Sequence, residues 1–134
     1  MNSTAQWTDE ERRNVHVVEE LLAAFVARDP KLIAAMFTDD AVFRMGAVGE
    51  RPPSNKPDFA VLGNASRIAI SVRKTFASGP IVMNDRDDCL VFPEQTISGR
   101  WIGIFAIRDG RVAEFIDYTI ERHVRSQVAS ERTT

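Results

Sequence analysis

An α+β fold, with helices first and a meander of long strands after them, follows from three observations on this 134-residue chain. A capped stretch with helical spacing opens it, and alternating β-branched runs fill its second half. Between two of those runs stands Asp109-Gly110, the pair favoured in a type I′ hairpin turn. Helices followed by strands make an α+β domain rather than alternating βαβ units. A curved antiparallel sheet wrapped over the helices would enclose a cavity.

The elements follow in order. Thr8-Asp9-Glu10-Glu11 is a capping box, with hydroxyl and carboxylate each taking one orphan N–H. Val15, Val18, Leu22, Phe25 and Val26, with Leu21 adjacent, form one apolar stripe, and His16 among them reads as a surface or partly packed residue. This helix should end near Arg28. Asp29 caps a second, short helix with Pro30 at its first position, and Leu32, Ile33 and Met36 give it an apolar face. Phe37 to Asp40 lead into a brief strand, Ala41 to Met45. Residues 46–57, with Gly46, Gly49, Pro52, Pro53 and Pro57, read as a loop that connects or covers a pocket mouth. A short helix is expected over 58–64, a strand over 67–77, a turn at Ser78-Gly79-Pro80 and a strand over 81–92.

Strands over 96–107 and 112–121 complete the hairpin. Trp101 and Phe105 share one face, and Ile102 and Ile104 the other. In the return strand Phe115, Asp117 and Thr119 share a face, with Val112, Ile116, Tyr118 and Ile120 opposite. A hairpin apolar on both sides must be covered twice, and a second copy of the chain, making a homodimer, is the expected outer cover. The whole is expected to be a single domain, 1–134, with loose terminal segments at 1–7 and 124–134.

Composition narrows the function classes. The chain is 44% hydrophobic and 27% charged, with a net charge of −2 and its Lys and Arg residues scattered. That excludes the basic stripe of a nucleic-acid binder. One cysteine, Cys89, rules out an internal disulfide and a zinc ribbon, and neither a metal nor a cofactor is expected. No apolar h-region opens the chain, and no run approaches the roughly 20 apolar residues of a membrane span. A cytoplasmic protein is the expectation.

One stretch breaks the apolar pattern: Asp85-Arg86-Asp87-Asp88, flanked by Ile81-Val82-Met83 and Cys89-Leu90-Val91-Phe92. Such a cluster reads either as a turn or solvated edge, or as a strand with charge on both faces. In the strand, Arg86, Asp88 and Leu90 share one side and Asp85, Asp87 and Cys89 the other. An unpaired buried charge costs on the order of several kcal/mol, so the face in which Arg86 carries its own counter-ion is the one expected inside. Asp117, in Phe115-Ile116-Asp117-Tyr118, is a second ionisable residue in an apolar strand, and alone it reads equally as a structural partner for a cation. If it joins Arg86 and Asp88, a planar guanidinium bridges two carboxylates whose titrations separate, leaving one as acid and one as base.

Those two strands, Arg86-Asp87-Asp88 and Phe115-Ile116-Asp117-Tyr118, resemble the limonene-1,2-epoxide hydrolase family, within the SnoaL-like and nuclear transport factor 2-like superfamily. Phe37-Thr38-Asp39-Asp40-Ala41 and the Gly110 hairpin resemble the superfamily more broadly, and the likeness runs from about Val15 to Arg122. The resemblance implies a cone-shaped α+β barrel and cofactor-independent hydrolysis of a small apolar epoxide. It implies Asp117 as the base that activates water, Asp88 as the acid that protonates the epoxide oxygen, and Arg86 as their bridge. Substrate would lie against Phe43, Met45, Trp101 and Phe115, with Phe25 and Leu22 as further candidates.

The likeness departs on the strand after the second helix. The family holds its water with a tyrosine and an asparagine two residues apart, where Phe43 and Met45 stand here; Asn64, Tyr118 and Thr119 are the polar substitutes available. Rival readings within the superfamily are an isomerase, cyclase or lyase run by Asp88 and Asp117, and a non-catalytic pocket in which Arg86 clamps an anion. A ketosteroid isomerase places its base where Met45 stands. A scytalone-type dehydratase uses pocket histidines, but this chain has only His16 and His123, near its ends.

Overall fold

A computed structural model describes residues 6–126. Its elements are α1 (Asp9–Ala27), α2 (Pro30–Ala35), β1 (Phe37–Ala47), β2 (Ser54–Asn55), a 3-10 turn (Ala60–Asn64), β3 (Arg67–Ser78), β4 (Ile81–Val91), β5 (Gln95–Arg108) and β6 (Arg111–Ser126). The capping box forms as expected: Glu11 N–H donates to Thr8 Oγ1 at 3.1 Å, and Thr8 N–H to Glu11 Oε1 at 2.9 Å. The other Glu11 oxygen accepts from Gly79 N–H at 2.8 Å, and Asn14 Nδ2 donates to the Gly79 carbonyl at 3.1 Å. The same residues that begin α1 thus pin it to the β3–β4 turn. Asp29 caps α2 through Leu32 N–H, with Pro30 at the first position. Asp109 and Gly110 both have positive φ, 52° and 75°, as a type I′ turn demands.

All six strands form one sheet in the order β2-β1-β6-β5-β4-β3. It is mixed rather than wholly antiparallel, because β1 runs parallel to β6. A parallel pair needs a long connection, and here nearly the whole of the sheet lies between the two strands. Their register sets Phe43 opposite Phe115 and Met45 opposite Asp117. β1 starts at Phe37, earlier than the expected Ala41, since Phe37 already pairs with Val112. β6 runs on to Ser126, with Val124 opposite Ile97, so residues 124–126 are strand where a loose terminus is expected. At the other end Trp7 packs against the core, and its carbonyl accepts from Arg12 at 2.6 Å. The rest of the two expected loose segments, 1–5 and 127–134, lies outside the described residues.

The core lies between α1, α2 and the inner face of the sheet. Leu21, Ile33, Val82, Phe105 and Val112 are its most deeply buried apolar side chains, each worth about 1.5–3 kcal/mol of burial. Val26 and Leu32, placed on apolar stripes by spacing, are exposed. Val112 is a second correction. Strict alternation sets it opposite Phe115, yet both are buried, because β6 skips a partner at Ala113: Ala106 pairs with Glu114 and Ile107 with Val112. A second skip falls at Ile120, where Trp101 pairs with Thr119 and Arg100 with Glu121. Each extra residue reverses the faces beyond it. Among the described residues no helix is long and apolar enough to cross a membrane.

Candidate active site

β4 is a strand with charge on both faces, and every charge in its cluster is matched. On the outer face Arg100 grips Asp85 through two hydrogen bonds of 2.9 and 2.7 Å, and Arg73 grips Asp87 through two of 2.7 and 2.9 Å. Both outer carboxyls are held below the usual carboxylate range, chiefly by those bonds. The inner face carries Asn84, Arg86 and Asp88. Arg86, Asn84 and Asp117 are buried, and the Asp88 side chain is 12% exposed.

The Arg86 guanidinium is the hub. Nη2 donates to Asp88 Oδ2 at 2.8 Å and to both oxygens of Asp117 at 3.0 and 3.1 Å. Nε donates to both Asp88 oxygens at 3.2 Å, and Nη1 to Asn84 Oδ1 at 3.0 Å. A planar fork can satisfy three partners at once; a lysine ammonium cannot copy that geometry. Burial acts to lower the affinity of Arg86 for its proton, but the Asp117 charge and the Asp88 bonds outweigh it and the net shift is upward. For Asp117, burial dominates. It pushes the carboxyl from its ordinary 3.8 up to about 7, against the pull of the Arg86 charge and with the help of the Asp88 charge. One buried positive charge cannot compensate two buried negative ones, and the physical outcome is a retained proton.

The ladder explains why these groups converge. Asn84, Gly103 and Asp117 lie on one rung across β4, β5 and β6, and Arg86, Trp101 and Thr119 on the next. Arg86 reaches back over Gly103 to touch both ends of the neighbouring rung. A Cβ at Gly103 would sit 2.6 Å from Arg86 Nη1 and 2.8 Å from Asn84 Oδ1, so only glycine leaves room for the guanidinium.

Beside this hub lies a cavity of about 380 Å³ between the sheet, α1 and the 3-10 turn. All seven site residues expected from the sequence line it: Arg86, Asp88, Asp117, Phe43, Met45, Trp101 and Phe115, with Leu22 and Phe25. Its wall is largely aromatic, with Phe43 and Phe115 ring centroids 5.2 Å apart and Phe59 within 5.1–5.5 Å of Phe25, Phe37 and Phe43. Of the three polar substitutes for a water holder, Thr119 lines the cavity, while Asn64 is exposed on the 3-10 turn and Tyr118 lies on the other face of β6. Met45 is half exposed at the Asp117 rung. His16 and His123 face solvent, paired with Glu20 and Glu121. Among the described residues no cluster of His, Cys, Asp and Glu is set to hold a metal ion.

Three contributors were not anticipated. Asn84 is two residues before Arg86, so alternation alone puts it on the same face. Gly103 gives no sign by itself, because what it accommodates comes from the adjacent rung. Phe59 sits at the start of the expected short helix, and an aromatic residue there is the only signal that this segment closes over the core.

No protein-family model matches the chain, and no curated protein does. Solved structures do. An LEH-like epoxide hydrolase of M. tuberculosis is 24% identical, with a TM-score of 0.68 over 82% of this chain and 84% of that one. The delta 5-3-ketosteroid isomerase of Mycobacterium sp. is 15% identical, with a TM-score of 0.70 over 84% and 98%. An NTF2-like protein of Burkholderia xenovorans LB400 is 16% identical, with a TM-score of 0.59 over 92% and 98%. Proteins of different activity share this backbone, so the likeness speaks to architecture and leaves chemistry to the site. The chain has the nuclear transport factor 2-like α+β cone fold.

Proposed function

We propose that this protein is a cofactor-independent epoxide hydrolase acting on a small, largely apolar epoxide. The observation that carries the reading is a single buried guanidinium shared by two carboxylates at the wall of an apolar cavity. Ionised Asp117 takes a proton from water, the water oxygen bonds to one epoxide carbon, and that carbon's bond to the ring oxygen breaks. Asp88 gives its proton to the ring oxygen, and the product is a vicinal diol. The proton gained by Asp117 then replaces the one lost by Asp88, by way of solvent or Arg86. A base that titrates near neutrality suits this exchange. Phe43 and Met45 offer the water nothing, and Thr119 supplies the second contact.

The test is a panel of small epoxides offered in ¹⁸O-labelled water. Diol carrying the label is expected, formed at a rate that falls as pH rises through about 7, where the pair loses the one proton it shares. A rate that rises over that range, or no turnover of any epoxide, would contradict the reading. An isomerase, cyclase or lyase on the same two carboxylates is the second reading, favoured by the lack of a water-holding side chain on β1. It would give product without label.

We also propose that the outer face of the β5–β6 hairpin meets a second copy of the chain. Ile102, Ile104 and Ile116 are only partly covered there, and Ile120 is exposed. Light scattering at micromolar concentration should give twice the 15.0 kDa chain mass, and a monomer would contradict this.

A further inference from the structure

The second skip in β6 changes which charge faces the cavity. Along Phe115, Asp117 and Thr119 strict alternation would bring Glu121 inward and send Arg122 out. The extra residue at Ile120 reverses this: Arg122 lines the cavity, while Glu121 and His123 line a shallow groove on the opposite face with Arg100 and Asp87. The exchange is built into the partner strand as well. Gly99 stands opposite Arg122, and a side chain there would run into the Glu121 carbonyl oxygen, with its Cβ 2.9 Å from the carbonyl carbon. Glycine at 99 and the skip at 120 therefore belong together, and their joint effect is to replace a carboxylate by a guanidinium on the cavity wall. Bulges beside functional sites commonly re-aim a side chain in this way.

Arg122 is exposed at the cavity mouth and has no ion-pair or hydrogen-bond partner among the described residues. The nearby carboxylates are engaged elsewhere. Asp88, two strands away on the same rung, is held by Arg86, and Asp58 across the mouth accepts from Ala60 N–H at 3.2 Å. Along the sheet Arg122 lies four β5 positions from the Asp117 rung, a span of roughly 13 Å at the usual strand rise. Trp101 supplies the apolar wall within that interval, and Ile97 and Leu90 continue it one rung beyond Arg122.

We infer that Arg122 is an anion-recognition subsite, and that the ligand is amphipathic: an apolar body against the aromatic wall, ending in a carboxylate at the mouth. This rests on the cavity being the ligand site, and within the proposed reaction it narrows the substrate to an epoxide that bears a carboxylate about one medium-length hydrocarbon chain away.

Calorimetry with decanoate and its neutral isostere decanamide tests it at low ionic strength. Wild type should bind decanoate roughly fivefold tighter, the effect of about 1 kcal/mol for a rim ion pair, and added salt should shrink the preference. Arg122→Gln, at an exposed side chain with no bonds to lose, should abolish the preference and leave decanamide binding unchanged. The inference is overturned by equal binding of the two probes to wild type, by binding of neither, or by a preference that survives Arg122→Gln. A preference that survives and grows in Asp117→Asn would place the carboxylate on Arg86 instead. Turnover of neutral epoxides without any decanoate preference would overturn the subsite alone. The preference without turnover would overturn the hydrolase reading alone.

Discussion

Replacing Arg86 with leucine is expected to cost about 3–5 kcal/mol of stability at neutral pH, the penalty for leaving buried charge without its partner. The variant would strand two carboxylates and the Asn84 side-chain oxygen, which together accept six hydrogen bonds from Arg86. Against a typical domain stability of roughly 5–15 kcal/mol, that loss is enough to populate unfolded chain. Its pH dependence is distinctive. Without the guanidinium's opposing pull Asp117 titrates still further above its unfolded value, so the folded variant binds that proton more tightly and gains relative stability as pH falls. Urea unfolding in mildly acidic and mildly alkaline buffer should therefore show a much larger deficit on the alkaline side. A deficit below about 1 kcal/mol at both would mean that Arg86 is not the neutralising centre of the site. Arg86→Lys should recover only part of the loss, since an ammonium cannot reach Asn84, Asp88 and Asp117 at once.

Asp117→Asn should move activity and stability in opposite directions. The amide is nearly isosteric and its oxygen can still accept from Arg86, so the fold stays. Loss of the base should lower epoxide turnover by about 10²–10⁴-fold. The sign of the stability effect follows from the upward shift of Asp117. A carboxyl raised from 3.8 to about 7 binds its proton more tightly in the folded state. Its favourable contribution is complete below about pH 4 and is lost as pH rises through about 7. The full span corresponds to roughly 4 kcal/mol. The asparagine variant has no proton to lose, so its thermal midpoint relative to wild type should climb across that window. A functional residue that costs the fold stability at its working pH is a familiar trade. Parallel pH profiles for the two proteins would refute the assignment of the burial cost to Asp117.

Much of this was readable from local chemistry. Thr8-Glu11, Asp29-Pro30 and Asp109-Gly110 each specify a terminus or turn within four residues, and each forms as its chemistry requires. Arg86 and Asp88 were legible because period-two alternation and the cost of unpaired charge together allow one inward face. Asp117 stood out as an acid inside an apolar run. The misses have physical reasons too. Val112 changed faces because a single extra residue at Ala113 shifts the parity of β6, and no local motif marks it. The parallel pairing of β1 with β6 depends on partners far apart in sequence. β2, two residues long, lies in a stretch whose glycines and prolines read as loop. Asn84 and Gly103 acquire their roles only once Arg86 crosses from one rung to the next.

The most direct test of the site needs no substrate. Carbon-13 NMR of aspartate carboxyls, with the Asp117 resonance identified by its disappearance in Asp117→Asn, should show that carboxyl titrating near 7 in the wild-type protein. A midpoint at or below its ordinary 3.8 would mean that Arg86 simply neutralises a structural carboxylate, and would contradict a proton-exchanging site.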